Sequence, residues 1–188
     1  DGQIGDQTDN ATPVRPIAIG VRGAWKSLTA SDKTASAVNG VQRMVWGDPR
    51  DFGLGNNDAI NRVDVPTRAD QLFWSAVSHG QGFGCGLATG QSGILCWGSD
   101  ASEQQGDDAG HVTATVPHQL PGTMNFTAVS AGWMGAHACA IGIDTTLRCW
   151  GDNTYGQLGG AAGPPVAVPT RPSASGSVWT AISAGWIH

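Results

Sequence analysis

Three Trp-Gly pairs set the frame of this chain: Trp46-Gly47, Trp97-Gly98 and Trp150-Gly151. Their tryptophans stand 51 and 53 residues apart, and a glycine follows each by nine residues, at Gly55, Gly106 and Gly159. Gly5 continues that series 50 residues before Gly55. An aromatic residue opens a short segment of small and β-branched residues in the same phase, at Trp25, Trp74, Phe126 and Trp179. A proline precedes each, at Pro13, Pro66, Pro117 and Pro169. Three markers holding one period of about 52 residues describe a repeat architecture, in which each unit buries its apolar faces only against its neighbours.

Within a unit the segments read as strands. Ala128-Val129-Ser130 and Ala181-Ile182-Ser183 are short alternating stretches that stop at glycine. His137 to Ile141 and Leu147 to Trp150 read as a hairpin around Gly142 to Thr145, and Asn39-Gly40 as a two-residue hairpin turn. Gly80, Gly82, Gly84 and Gly86 alternate, as in a strand that packs closely on a neighbour. No segment sustains a 3.6-residue apolar period with caps, so the fold class is all-β. Units of this length predict a β-propeller of four-stranded blades, present as a partial propeller of about three and a half repeats. The expected divisions are a repeat tail at 1–20, repeats at 21–70, 71–122 and 123–175, and the start of another at 176–188.

The residues that carry the phase resemble a known family. His137-Ala-Cys-Ala-Ile141, then Leu147-Arg-Cys-Trp-Gly-Asp-Asn-Thr-Tyr-Gly-Gln-Leu-Gly159, then Val168-Pro169, are similar to a repeat of the regulator of chromosome condensation family. The unit from Cys96 to Gly106 keeps the frame without the Gly-Gln-Leu-Gly sequence, and the unit from Trp46 to Gly55 is intermediate. The resemblance implies a propeller that usually has seven blades. A closed propeller of such blades needs about 360 residues, so the 188 residues here are expected to be part of a longer one.

Composition excludes several partners. Net charge is −5 and lysine occurs only at Lys26 and Lys33, which does not suit a protein that neutralises nucleic-acid phosphates. No apolar run reaches the length of a membrane span. None of the spaced motifs for phosphate binding, zinc hydrolysis or a nucleophile elbow is present, so no catalytic residue, cofactor or metal ligand is assigned and the chain is read as not an enzyme.

The four cysteines are Cys85, Cys96, Cys139 and Cys149. Each pair brackets a hairpin turn, 11 and 10 residues apart, and the second member directly precedes Trp-Gly. Opposed positions on antiparallel strands lie within disulfide reach, so Cys85–Cys96 and Cys139–Cys149 bridges are expected. The alternatives are four reduced buried thiols or a zinc site, for which the spacing is unsuited. The unit with Val45 before Trp-Gly lacks both cysteines, so the bridge is an addition to the fold. Disulfides imply an oxidising compartment, extracellular or at the cell surface. Two glycosylation sequons accompany them, at Asn10 and Asn125.

Binding candidates lie where the repeat departs from itself. Trp133 and Trp186 each follow an Ala-Gly that ends a strand, at a position held by Asp32 and Gln81 in other units. They serve either loop packing or contact with a partner, since tryptophan is a favoured interface anchor. Asp100, Glu103, Asp107 and Asp108 cluster in one Gly/Asp-rich loop, either as a solvated acidic face or as a binding site. The leading functional reading is a non-catalytic extracellular module that engages a protein, a glycan or copies of itself. The resemblance supplies a precedent in the secreted β-lactamase inhibitory proteins. Its founding activity, guanine-nucleotide exchange, is the alternative, with an enzyme site on the propeller face as a third.

Overall fold

The structure, a computed structural model, describes residues 4–5, 22–31, 33–50, 53–58, 60–122, 124–173 and 178–188. Asn10, Pro13 and Asp32 lie outside the described residues. Twelve strands form three four-stranded antiparallel sheets among them. The first blade holds β1 (Trp25–Ala30), β2 (Thr34–Asn39), β3 (Gln42–Gly47) and β4 (Val63–Arg68). The second holds β5 (Trp74–His79), β6 (Phe83–Ala88), β7 (Leu95–Gly98) and β8 (Ala114–Gln119). The third holds β9 (Phe126–Ala131), β10 (His137–Gly142), β11 (Leu147–Gly151) and β12 (Val166–Thr170). In each blade the strands pair in sequence order, so the fold is the expected all-β partial propeller. No helix among the described residues is long and apolar enough to cross a membrane.

The blade order follows from which strands can be covered on both faces. β6 and β10 are buried almost throughout. They are built from small residues, Gly84-Cys85-Gly86 and Ala138-Cys139-Ala140, because sheets or rings lie against both sides. A Cβ on Gly84 would lie 2.5 Å from the Trp97 ring, and one on Gly86 would lie 2.6 Å from Trp74. The alternating glycines therefore give room to tryptophans of their own blade. The last strand of each blade carries the phase-marking proline, Pro66, Pro117 or Pro169. These are edge strands, where a missing N–H costs no ladder bond. The turn between β2 and β3 is one residue later than expected. Asn39 pairs with Gln42, so Gly40-Val41 makes the turn, with φ of 63° at Gly40, a position where glycine carries no Cβ penalty.

Two sets of contacts repeat between blades. In the first, a hydroxyl on one opening strand accepts an N–H from the next: Thr29 Oγ1 from His79 at 3.1 Å, Ser78 Oγ from Ala131 at 2.9 Å, and Ser130 Oγ from Ala184 at 2.9 Å. The last of these sets Ala184 against β9 in the way that the opening strands of successive blades meet. In the second, the Trp-Gly indole of one blade donates to the loop of the blade before it: Trp97 Nε1 to Gly53 O and Trp150 Nε1 to Gln104 O, both at 2.9 Å. The glycine nine residues after each tryptophan is the floor of that seat. A Cβ on Gly106 would lie 2.6 Å from Trp150, one on Gly55 would collide with Trp97, and one on Gly5 would lie 3.0 Å from Trp46. The spacing read in the sequence is thus the spacing of an indole and its seat on the neighbouring blade.

Candidate functional site

Antiparallel blades send alternate loops to the same end. The β1–β2, β5–β6 and β9–β10 loops share an end with the β3–β4, β7–β8 and β11–β12 loops. Backbone bonds tie them together: Asp48 N to Lys33 O at 2.9 Å, Ser99 N to Gly82 O at 2.8 Å, and Asp152 N to Ala136 O at 2.7 Å. Trp133, Trp186 and the acidic loop at 99–113 all lie at this end.

Trp133 sits in the β9–β10 loop and is 51% exposed; Trp186, one unit later, is 56% exposed. Their loops are packed backbone to backbone. A Cβ on Gly132 would lie 2.6 Å from Gly185 O, and one on Gly135 would collide with Trp186 O. The fold therefore fixes both loops while leaving half of each indole in solvent.

The acidic loop divides into three. Asp107 lies 2.8 Å from His118 Nε2 on β8. Asp108 is exposed, with its N–H bonded to Ala167 O of the third blade. Asp100 and Glu103 turn inward and meet His111. Asp100 is 1% exposed. Its Oδ1 accepts the Gln105 N–H at 2.8 Å, while Oδ2 is buried with no hydrogen-bond partner. Burial holds its carboxyl above the usual range; the Gln105 bond opposes this, and the charges of Asp107 and Glu103 add to it. His111 Nδ1 lies 3.0 Å from the Asp100 carbonyl, and its Nε2 lies 3.4 Å from Glu103 Oε1. The loop is held firmly. Gln105 Nε2 donates to Gly98 O at 2.7 Å and Val112 O at 2.9 Å, closing both ends of it.

Gln104 and Gly106 keep the positions of Gln157 and Gly159 in the third blade, and Gln104 Oε1 accepts Ser102 N as Gln157 Oε1 accepts Tyr155 N. The unit retains more of the repeat than its sequence suggests. His111 was not singled out in the sequence. The available signal was internal: Asp100 and Glu103 stand where the next repeat has Asn153 and Gly156.

Both expected disulfides are present, Cys85–Cys96 and Cys139–Cys149, joining residues paired across β6–β7 and β10–β11. Asn125 is exposed at the start of β9, so that sequon is accessible.

Residues 126–157 match the regulator of chromosome condensation (RCC1) repeat. The fold is similar to that of human WBSCR16, with a TM-score of 0.83 and 19% identity over 98% of this chain and 48% of that one. It is similar to yeast RCC1 (Prp20) solved with Kap60, with a TM-score of 0.73 and 14% identity over 90% of this chain and 41% of that one. A structure of Prp20p from Saccharomyces cerevisiae, described with its binding to Gsp1p and histones, gives a TM-score of 0.64 and 18% identity over 78% of this chain and 38% of that one. The chain spans less than half the length of each of these proteins. The resemblance read in the sequence holds in the repeat and in the fold.

Proposed function

We propose that this chain is part of an extracellular, non-catalytic propeller that binds a protein partner through the end carrying Trp133 and Trp186. The observation that carries the reading is the pair of half-exposed indoles on loops packed against each other. Large, stiff aromatics lose little conformational freedom on binding and dominate protein interfaces. Two structures of one protein of the same fold, yeast RCC1 (Prp20), support a protein as the partner: one is solved with Kap60, and the other is described with its binding to Gsp1p and histones. The compartment rests on the two cystines, with no free cysteine among the described residues, a pattern that persists where the environment is oxidising. A Trp133→p-benzoylphenylalanine variant tests the binding reading. Ultraviolet crosslinking in the secreted fraction of the native source should capture one discrete protein, and the same photoprobe at Ile143, exposed in the β10–β11 turn at the opposite end of the blades, should not. Equal capture from both positions, or none from Trp133, would remove the reading.

A further inference from the structure

We propose that Asp100, Glu103 and His111 form a binding site for one divalent transition-metal cation, with zinc preferred. Their ligating atoms all lie within 4.8 Å of one another. The case rests on how this loop departs from its equivalent in the third blade. There, Asn153 uses Oδ1 to accept the Leu158 N–H at 3.3 Å and Nδ2 to donate to Ala161 O at 2.9 Å, so both side-chain atoms are used. Asp100 repeats the first bond, to Gln105, but places an oxygen where the amide nitrogen would be. That buried Oδ2 has no partner. Glu103 stands in the place of Gly156 and keeps its left-handed backbone, with φ of 59° against 80°. Its Oε2 is also buried without a partner. Folding alone is served by Asn and Gly at these two positions. The substitutions bring two carboxylates together in a site where their mutual repulsion is poorly screened, and a cation removes that cost.

His111 completes the donor set. Its Nδ1 faces the Asp100 carbonyl at 3.0 Å, and a hydrogen bond there leaves the Nε2 lone pair facing Glu103. Ligating histidines are oriented by this kind of bond to a backbone carbonyl. The 3.4 Å between His111 Nε2 and Glu103 Oε1 is long for a charged hydrogen bond. It matches the roughly 3.4 Å edge spanned by two ligands at about 2.1 Å on a tetrahedral zinc. One imidazole nitrogen with two carboxylate oxygens suits zinc better than calcium, which takes an all-oxygen shell. His111 is solvent-exposed on its outer side, so the ion has a path in and a place for water.

The proposal does not depend on the protein-binding reading. Its test is calorimetric titration of the tag-free chain, disulfides intact, with zinc chloride. One equivalent should bind saturably, and cobalt(II) in its place should give visible absorption bands. His111→Gln and Asp100→Asn should each weaken zinc by about tenfold or more. Neither should lower the thermal midpoint of the metal-free protein, because His111 is exposed and Asn153 shows that asparagine fits at the equivalent position. His118→Gln should leave the affinity unchanged. Absence of saturable zinc binding, equal affinity in the His111 and Asp100 variants, or preference for calcium over zinc would each overturn it.

Discussion

At the seat of Trp97, between the first and second blades, a guanidinium lies against the indole. Trp150, seated between the second and third, belongs to an apolar cluster that includes Ile94, Leu120, Ala131 and Ala138. Arg43 of β3 occupies the position that Ile94 and Leu147 hold in the other units, three residues before the tryptophan. It is completely buried, 4.2 Å from the Trp97 ring centre and 5.4 Å from that of Trp74. Its donors reach Leu54 O at 2.7 Å, Gly55 O at 2.8 Å and Asp70 at 2.9 Å. Burial lowers its pKa to about 10 against the pull of Asp70, so it stays charged at neutral pH. The first blade also lacks the cross-link, with Ser36 opposite Val45 where the others carry cystines. What repeats from blade to blade is therefore geometry: an indole, a glycine and a carbonyl. The chemistry that stabilises the seat does not repeat.

The largest expected effect is at Arg43. Arg43→Ala leaves Asp70 and two loop carbonyls without their partner, and should destabilise by about 3–5 kcal/mol in urea unfolding. A loss below about 1 kcal/mol would show that the guanidinium is peripheral to the first seat. Replacing Cys85 and Cys96 together by alanine should cost about 2–4 kcal/mol, with the Arg43 contacts intact. If the cystine pair proves costlier than Arg43, the two seats differ more in strength than in kind. The converse experiment transfers the device. Ser36 and Val45 are directly paired, so Ser36→Cys with Val45→Cys should form a third bridge and add about 2–3 kcal/mol. Free thiols on alkylation would show that the first blade does not share the register of the others.

The smallest effect, taken per pH unit, is a pH dependence to which the first seat contributes through His79. His79 is fully buried between Thr34 and Trp97, and burial, aided by the Arg43 charge, pushes its pKa down to about 3. The unfolded imidazole takes a proton below about pH 6.5, while the folded one does not until about pH 3. Between those values the unfolded chain binds more protons. Stability therefore falls as pH drops, by up to about 1.4 kcal/mol per pH unit from this group. His137 is also lowered by burial and acts in the same direction. His79→Phe should flatten the slope, and an unchanged slope would assign it to other groups.

The frame was legible because it depends on residues with few substitutes. Gly55 and Gly106 carry φ of 61° and 74° with an indole above them, so glycine recurs there at a fixed distance from tryptophan. The cystines were legible because both partners of each bridge bracket one turn. Arg43 was not, since a charged residue at a core position runs against the apolar pattern that marks the core, and its partners Asp70 and Leu54 lie far along the chain. The fourth strand of each blade was expected but not located, because Pro66, Pro117 and Pro169 interrupt a strand pattern and only the sheet shows that they lie on an unpaired edge. The acidic loop was legible as a place but not as an arrangement. Asp107 and Asp108 turn away from Asp100 and Glu103, and only the fold brings His111 to them.

The contrast between blades is tested most directly by peptide mapping of protein purified from its native source, with thiols alkylated before any reduction. Cys85–Cys96 and Cys139–Cys149 should be recovered as two intact linked peptides with no alkylated cysteine. Four alkylated cysteines would contradict the covalent half of the comparison, and the extracellular reading with it.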